Sequence, residues 1–410
     1  MTWRISDPAH LLAAMRISLL QGGEWLAGRV APNGPIAHER NLSYMHKAVW
    51  GMYAGGVDPD VIARVLDWAE REALQPNGDF YFPEESPEYK DTQRVYRPLT
   101  FGKVAAWIGH PVIRRAQVID RILQYQHASG GAFNFIGDDP RHVEPRATLG
   151  TLNTTFFGQL MLALDLRSQA LAAGKWVLSW VDANRSYMPQ GFVYTQMTPE
   201  GELITAVGPG ERIGKVVDNR GPKQEFWQIG TAMAYLVDLY EAMRVRWNYP
   251  EAQALPYLDA ALALLDFEAT MPLDTYLWPS KCKVGWGAGE ILRVLAPLGV
   301  LACGVSEQRL GDTRTMETAY RVGERVAMFT FMDNQLGDGS WSLLHYPLQD
   351  GIPELDFNYK PLKGSVRVTP WKIAGSQTIW LPGEELAGEF LGELKPIEQG
   401  VAAWLKAGGS

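Results

Sequence analysis

Gln335-Leu-Gly-Asp-Gly339-Ser-Trp341 closes an apolar stretch of helical period with a polar side chain, a glycine-bearing turn and an aromatic ring. Two looser copies stand far upstream, Gln75-Pro-Asn-Gly78-Asp-Phe80 and Gln126-His-Ala-Ser-Gly-Gly131-Ala-Phe133. A unit repeated at long intervals, each copy a helix ended by the same turn, is the mark of stacked supersecondary pieces. The 410 residues are therefore expected to form one domain, 1–410, with a continuous core, although the length alone allows two or three.

Working outward from these turns, the chain reads as paired helices. Asp7 and Pro8 open the first helix, whose Leu11, Leu12, Met15, Leu19 and Leu20 make an apolar stripe running out near Gly28. A second is expected over about 40–53, and Asp58-Pro59 opens a third with Ile62, Val65, Leu66 and Ala69 at three-four spacing. Further helices follow over about 90–108, 111–125, 148–164, 168–181, 224–243, 250–267, 282–298, 312–332 and 370–393. That makes twelve, in six pairs. Five short segments, Asp79–Phe82, Ala132–Phe135, Gly191–Tyr194, Thr275–Trp278 and Ser340–Leu343, alternate aromatic with small or polar residues as half-buried strands do. Six helical hairpins closing on themselves bury every apolar face without a free end. The expected class is all-α, an (α/α)6 toroid or barrel with short β segments and a polar, lid-like insertion.

Composition bounds the function. A formal charge of −8 with scattered Lys and Arg offers no basic stripe, so no nucleic-acid partner is expected. The two cysteines, Cys282 and Cys303, are too few for a disulfide framework and suit a reducing compartment. The N-terminus lacks the apolar core of a secretion signal and no apolar run reaches spanning length. The expectation is a cytoplasmic protein without a membrane span, of undetermined oligomeric state. Its 15 Trp, 16 Tyr and 14 Phe are enough to line an apolar pocket as well as fill a core.

The longer stretch Arg325-Val-Ala-Met-Phe329-Thr-Phe-Met-Asp-Asn-Gln335-Leu-Gly-Asp-Gly339-Ser-Trp341 resembles the QW repeat of squalene cyclases and related prenyltransferase-like toroids. The resemblance implies a terpenoid cyclase-like toroid in which the Gln bonds backbone at a helix end and the aromatic stacks beneath. The catalytic signatures of those families are not matched. No Asp-x-Asp-Asp string is present, and Asp138-Asp139 is followed by Pro140-Arg141 rather than a spaced third Asp. Cys282 and His345 match two ligands of the prenyltransferase zinc set, but Ser280 stands where that set has Asp. No metal and no cofactor are expected.

In a toroid the even helices form the inner ring, and their N-termini surround one mouth of the cavity. Polar residues crowd these starts. Candidate catalytic groups are Glu225, Asp91, Cys282, His46, Tyr44 and His345; candidate substrate contacts are Tyr96, Asn153, Trp227, Gln228, Trp286, Trp341 and Trp371. Glu225 beside Trp227 on an apolar helix is expected to be buried, with a raised pKa suited to proton donation. Cys282 between Lys281 and Lys283 at a helix start is expected to carry a lowered thiol pKa. Tyr44 and His46, two apart, cannot both face inward squarely. The polar stretches 195–223, with a turn at Pro199-Glu-Gly201, and 348–369 are expected to be insertions near the mouth.

Two function classes follow. The favoured expectation is a metal-independent acid-base cyclase, dehydratase or isomerase acting on an apolar, terpenoid- or polyketide-like small molecule, tilted by the small residues of Val284-Gly-Trp-Gly-Ala-Gly289. It also resembles, in fold alone, the metal-free toroid linalool dehydratase-isomerase. The alternative is a carbohydrate-active toroid, hydrolase, lyase or epimerase, with Asp91 and Glu225 as its carboxylates and Trp platforms for sugar rings.

Overall fold

Asp7 and Asp58 each accept a hydrogen bond from the backbone two residues on, at 2.9 Å, and each is followed by proline at the first helical position. These caps start α1 (Pro8–Gly28) and α3 (Pro59–Glu72) of the computed structural model, which describes residues 7–36, 42, 45–83, 94–134, 148–208, 215–221, 224–298, 313–341 and 383–409. The remaining α-helices among them are α2 (His46–Ala54), α4 (Tyr96–Ile108), α5 (Ala116–Leu123), α6 (Thr151–Ala163), α7 (Arg167–Asn184), α8 (Trp227–Glu241), α9 (Glu251–Ala269), α10 (Cys282–Leu295), α11 (Thr313–Arg325) and α12 (Gly383–Lys406). The even helices α2, α4, α6, α8, α10 and α12 each pack on the next, and α12 packs on α2, closing an inner ring. The odd helices lie outside it. The fold is the (α/α)6 toroid.

The repeated turns hold neighbouring hairpins together. Gly78, Gly130 and Gly339 all have left-handed backbones, and a Cβ on each would fall within 2.0–2.4 Å of a carbonyl oxygen of the next outer helix: Gln117, Ala172 and Gln21 respectively. Only glycine fits. Gln126 Nε2 donates to Gln169 O at 3.1 Å and Gln335 Nε2 to Ser18 O at 3.0 Å, so the last copy ties the sixth hairpin to the first. The first copy is out of register by one residue. Its bridge pairs Leu74 with Phe80, where the others pair Gln126 with Ala132 and Gln335 with Trp341, and Gln75 bonds back to Tyr81 O at 2.8 Å within its own hairpin. Trp341 is buried, donates to Phe331 O at 2.9 Å and packs on Gly22 and Phe390.

Several expected boundaries shift. The helix expected over 111–125 splits into a 3-10 turn, Pro111–Arg114, and α5, because Arg115 is extended. Thr275–Trp278 is not a strand: Leu273–Leu277 form a 3-10 turn. The last inner helix, described over Gly383–Lys406, runs past its expected end at 393, and its expected start near 370 lies outside the described residues. The stretch after Tyr194 folds back as two antiparallel ribbons. Strand β1 (Leu149–Gly150) pairs with β3 (Gln196–Met197), and β2 (Phe192–Tyr194) pairs with β4 (Val216–Asp218). The turn at Thr198–Glu202 closes with Gly201 in the left-handed region. No helix among the described residues is long and apolar enough to cross a membrane.

Candidate active site

The site is built by close approach of inner helices. Gly388 of α12 lies against the Lys47 backbone of α2, and Gly289 of α10 lies against Pro396 of α12, with no space for a Cβ at either. These contacts bring the first three turns of α12 between the starts of α2 and α10. Glu385, Glu389 and Glu393, spaced by four, share one face there. Lys47 Nζ reaches Glu385 at 2.9 Å and Glu389 at 2.8 Å; Lys283 Nζ contacts Glu389 and, at 2.8 Å, Glu393. Glu389 is thus held at both oxygens, by Lys47 at Oε2 and Lys283 at Oε1.

The environment drives the two neighbouring carboxyls apart. Burial works to raise the Glu389 pKa, but the ammonium groups of Lys283 and Lys47 overcome it and hold it down at about 2. Burial, reinforced by the Glu389 charge, pushes Glu393 up to about 7 against the pull of Lys283. One oxygen of each and Cys282 Sγ lie within 4.8 Å of one another, a spacing that suits a metal-ligand set, but Lys283 already supplies both carboxylates with a counter-charge.

Cys282 does not have the expected lowered pKa. Burial and the adjoining Glu393 push its thiol well above the ordinary range. The flanking ammonium groups are engaged elsewhere: Lys281 is fully buried on Glu268 of α9, and Lys283 on the α12 carboxylates. A buried thiol against a glutamate stays protonated.

His46 and Tyr96 join this network. The His46 ring stands edge-on to Tyr96 at 5.3 Å, and Lys47 Nζ lies 5.7 Å from the Tyr96 ring centroid. His46 Nδ1 donates to Leu42 O at 3.1 Å, leaving a buried Nε2 without a hydrogen-bond partner. Burial and the nearby Lys47 and Arg97 charges push the imidazole pKa down, so it is neutral. Beneath, Trp286 packs at a tilt on Trp50 at 5.1 Å and edge-on with Phe156 at 5.8 Å, filling the ring axis with aromatic side chains.

Glu225 forms a second group at the same end of the ring. It is half-buried just before α8, and burial raises its pKa to about 7, opposed only by Gln228 Nε2 donating at 3.4 Å. Gln228 Oε1 in turn accepts from Leu152 N at 3.1 Å, tying α8 to α6. Trp227 is half-buried beside it. Asn153 is mainly structural: its Nδ2 donates to Phe133 O at 3.0 Å and Asn134 O at 3.2 Å. Trp341 belongs to the interhairpin clamp. Tyr44, Asp91, His345 and Trp371 lie outside the described residues.

The α12 carboxylates are not among the residues the sequence points to. An end at 393 places the glutamates at the far end of that helix; its continuation to Lys406 leaves them on the side of the mouth. Three glutamates at four-residue spacing among Gly388, Gly392 and apolar residues are the signal that was available.

No protein-family model matches the chain, and no curated protein is significantly similar to it in sequence. Solved structures do match. An α-mannanase of glycoside hydrolase family 76 from Bacteroides thetaiotaomicron superposes with a TM-score of 0.52 at 8% identity, covering 96% of this chain and 98% of that one. A second family 76 glycoside hydrolase from a bovine strain of that species gives 0.45 at 14% identity, covering 94% and 77%. A possible family 105 member from Salmonella enterica serovar Paratyphi A gives 0.46 at 12%, covering 97% and 94%. The toroid is therefore shared with an α-mannanase, and the expected terpenoid cyclase-like kinship is overturned. The expected apolar substrate and cyclase, dehydratase or isomerase chemistry falls with it. Physically, the mouth is an ion-paired network of Lys and Glu, not an apolar bowl.

Proposed function

We propose that the chain is a carbohydrate-active enzyme that cleaves glycosidic bonds at the N-terminal end of the inner ring. The observation carrying this reading is the pair Glu389 and Glu393, one turn apart on α12, one ionised and the other still partly protonated at neutrality. Two carboxyls whose surroundings separate their pKa values are the usual division of labour in glycoside hydrolysis. The shared fold with an α-mannanase supports it.

In this reading the Glu393 proton passes to the glycosidic oxygen as the bond from the anomeric carbon to that oxygen breaks. The positive charge developing at the anomeric carbon faces the Glu389 carboxylate. Because both Glu389 oxygens are held by lysines, it acts as a fixed counter-charge rather than a covalent nucleophile. Water adds to the carbon, and its proton returns to Glu393. Glu225 supplies a second proton-exchanging carboxyl at the same end, with the half-buried Trp227 as a ring platform.

The test is release of new reducing ends from a panel of oligosaccharides, α-mannan fragments first, by wild type and by the Glu393→Gln, Glu389→Gln and Glu225→Gln variants. Loss in the first two supports the assignment. Unchanged turnover in Glu225→Gln removes that residue from the mechanism, and a wild type inert on every glycoside removes the function.

A further inference from the structure

The opposite, C-terminal end of the ring carries a cavity of about 580 Å³ that the chemistry above does not use. Its floor holds Lys103, surrounded by ring centroids of Trp50 at 4.1 Å, Phe156 at 4.8 Å, Trp286 at 4.9 Å and Trp107 at 5.1 Å. Lys103 Nζ donates to Gln159 Oε1 at 3.2 Å, and no carboxylate lies within 4.0 Å of it among the described residues. Gln159 Nε2, buried in the same wall, has no hydrogen-bond partner. An ammonium closed into aromatic rings without a counter-ion is costly, even allowing for cation-π attraction. Burial accordingly brings the Lys103 pKa down to about 7.

The remaining walls complete a ligand site. Asp238, Glu241 and Glu290 face the cavity from α8 and α10, with Arg293 paired to all three. At the rim, Tyr53 and Trp107 stack at 4.9 Å and are 43% and 41% exposed, a flat aromatic platform left open to solvent. The volume suits a small polar molecule.

We infer that this cavity is a second site, binding a polyhydroxylated carbonyl compound, the open-chain form of a reducing sugar, with Lys103 as the amine that condenses with its carbonyl. The carboxylates and Gln159 match hydroxyl and carbonyl groups, and the Tyr53–Trp107 platform matches the C–H face of the chain. The Lys103 lone pair forms the C–N bond as the carbonyl π pair moves to oxygen. A proton passes from nitrogen to that oxygen, and the hydroxyl leaves as water with a further proton from the carboxyl wall, where burial raises the Asp238 pKa. The resulting protonated C=N gives its N–H proton to the wall carboxylate, restoring the carboxyl, and adding water to it returns amine and carbonyl. The site does not depend on the glycosidase reading.

Glycolaldehyde is the probe. The full chain is incubated with it and cyanoborohydride at pH 7.5, and the reduced adducts are located by peptide mass mapping. Lys175 and Lys406, both exposed, give the comparison peptides. The Lys103 peptide is expected to be labelled at least about ten-fold faster than theirs. Lys103→Met, whose folding is checked by circular dichroism, should lose that adduct and keep the slow surface background. Equal or slower labelling of Lys103 in the wild type overturns the proposal, and needs no variant to be decisive.

Discussion

Gly388 packs against the backbone of Lys47 so closely that a Cβ on the glycine would lie 2.4 Å from the Lys47 carbonyl oxygen. That contact sets the spacing at which Glu389, the next residue, reaches Lys47 Nζ at 2.8 Å. Gly388→Ala should therefore destabilise the protein by about 1–3 kcal/mol through overpacking, measured from urea denaturation midpoints. A variant as stable as wild type would mean that α2 and α12 can separate without cost.

Glu393 predicts a pH dependence of stability. Its folded pKa of about 7 stands above the ordinary 4.5, so the unfolded chain releases this proton first as pH rises. The stability it contributes is full below about pH 4.5 and is lost as pH rises through 7. Glu393→Gln cannot ionise. Its melting temperature, relative to wild type, should rise between pH 5 and 8, by an amount equivalent to roughly 1–3 kcal/mol. A difference that stays constant across that range contradicts the assignment. Glu389, with its pKa held down at about 2, has the opposite sign: its stabilising contribution is lost as pH falls below about 4.5.

Cys282 is buried and its thiol is pushed up, so it should resist alkylation. Iodoacetamide at pH 8 is expected to modify it at least about 100-fold more slowly in the native protein than in urea, read at its own peptide by mass spectrometry. Rapid native labelling would restore the nucleophile that the structure removes.

The clamp between the sixth and first hairpins is testable at Gln335 and Gly339. Gln335→Ala loses the bond to Ser18 O and should cost about 1 kcal/mol. Gly339→Ala adds a Cβ 2.4 Å from Gln21 O at a left-handed backbone and should cost more, roughly 1–3 kcal/mol. The reverse order in denaturation midpoints would show that the side-chain bond, not the close approach, closes the ring.

How much of this was legible in sequence depends on what each residue reports. The turns, with glycine two residues before the Trp341 and Phe80 rings, mark where one hairpin docks on the next, and a helix period can be read from local spacing. The toroid follows from both. Helix bounds are weaker signals. Asp7-Pro8 and Asp58-Pro59 announce α1 and α3, but no comparable signal shows that α12 continues past 393 and Pro396 to Lys406, and that hid Glu389 and Glu393. The sign of the Cys282 shift was unreadable for another reason. Lys281 and Lys283 are adjacent to it in sequence, but their charges are directed to Glu268, Glu389 and Glu393, partners fixed only by tertiary packing.

The most direct test of the central claim is the pH profile of glycoside cleavage by wild type and Glu393→Gln on the best substrate from an oligosaccharide panel. The wild-type rate should hold on the acid side and fall as pH rises through about 7. The variant, folded by circular dichroism, should lose about 10²–10⁴-fold in kcat with little change in KM. A Glu393→Gln enzyme that keeps the wild-type rate and pH profile would contradict the account.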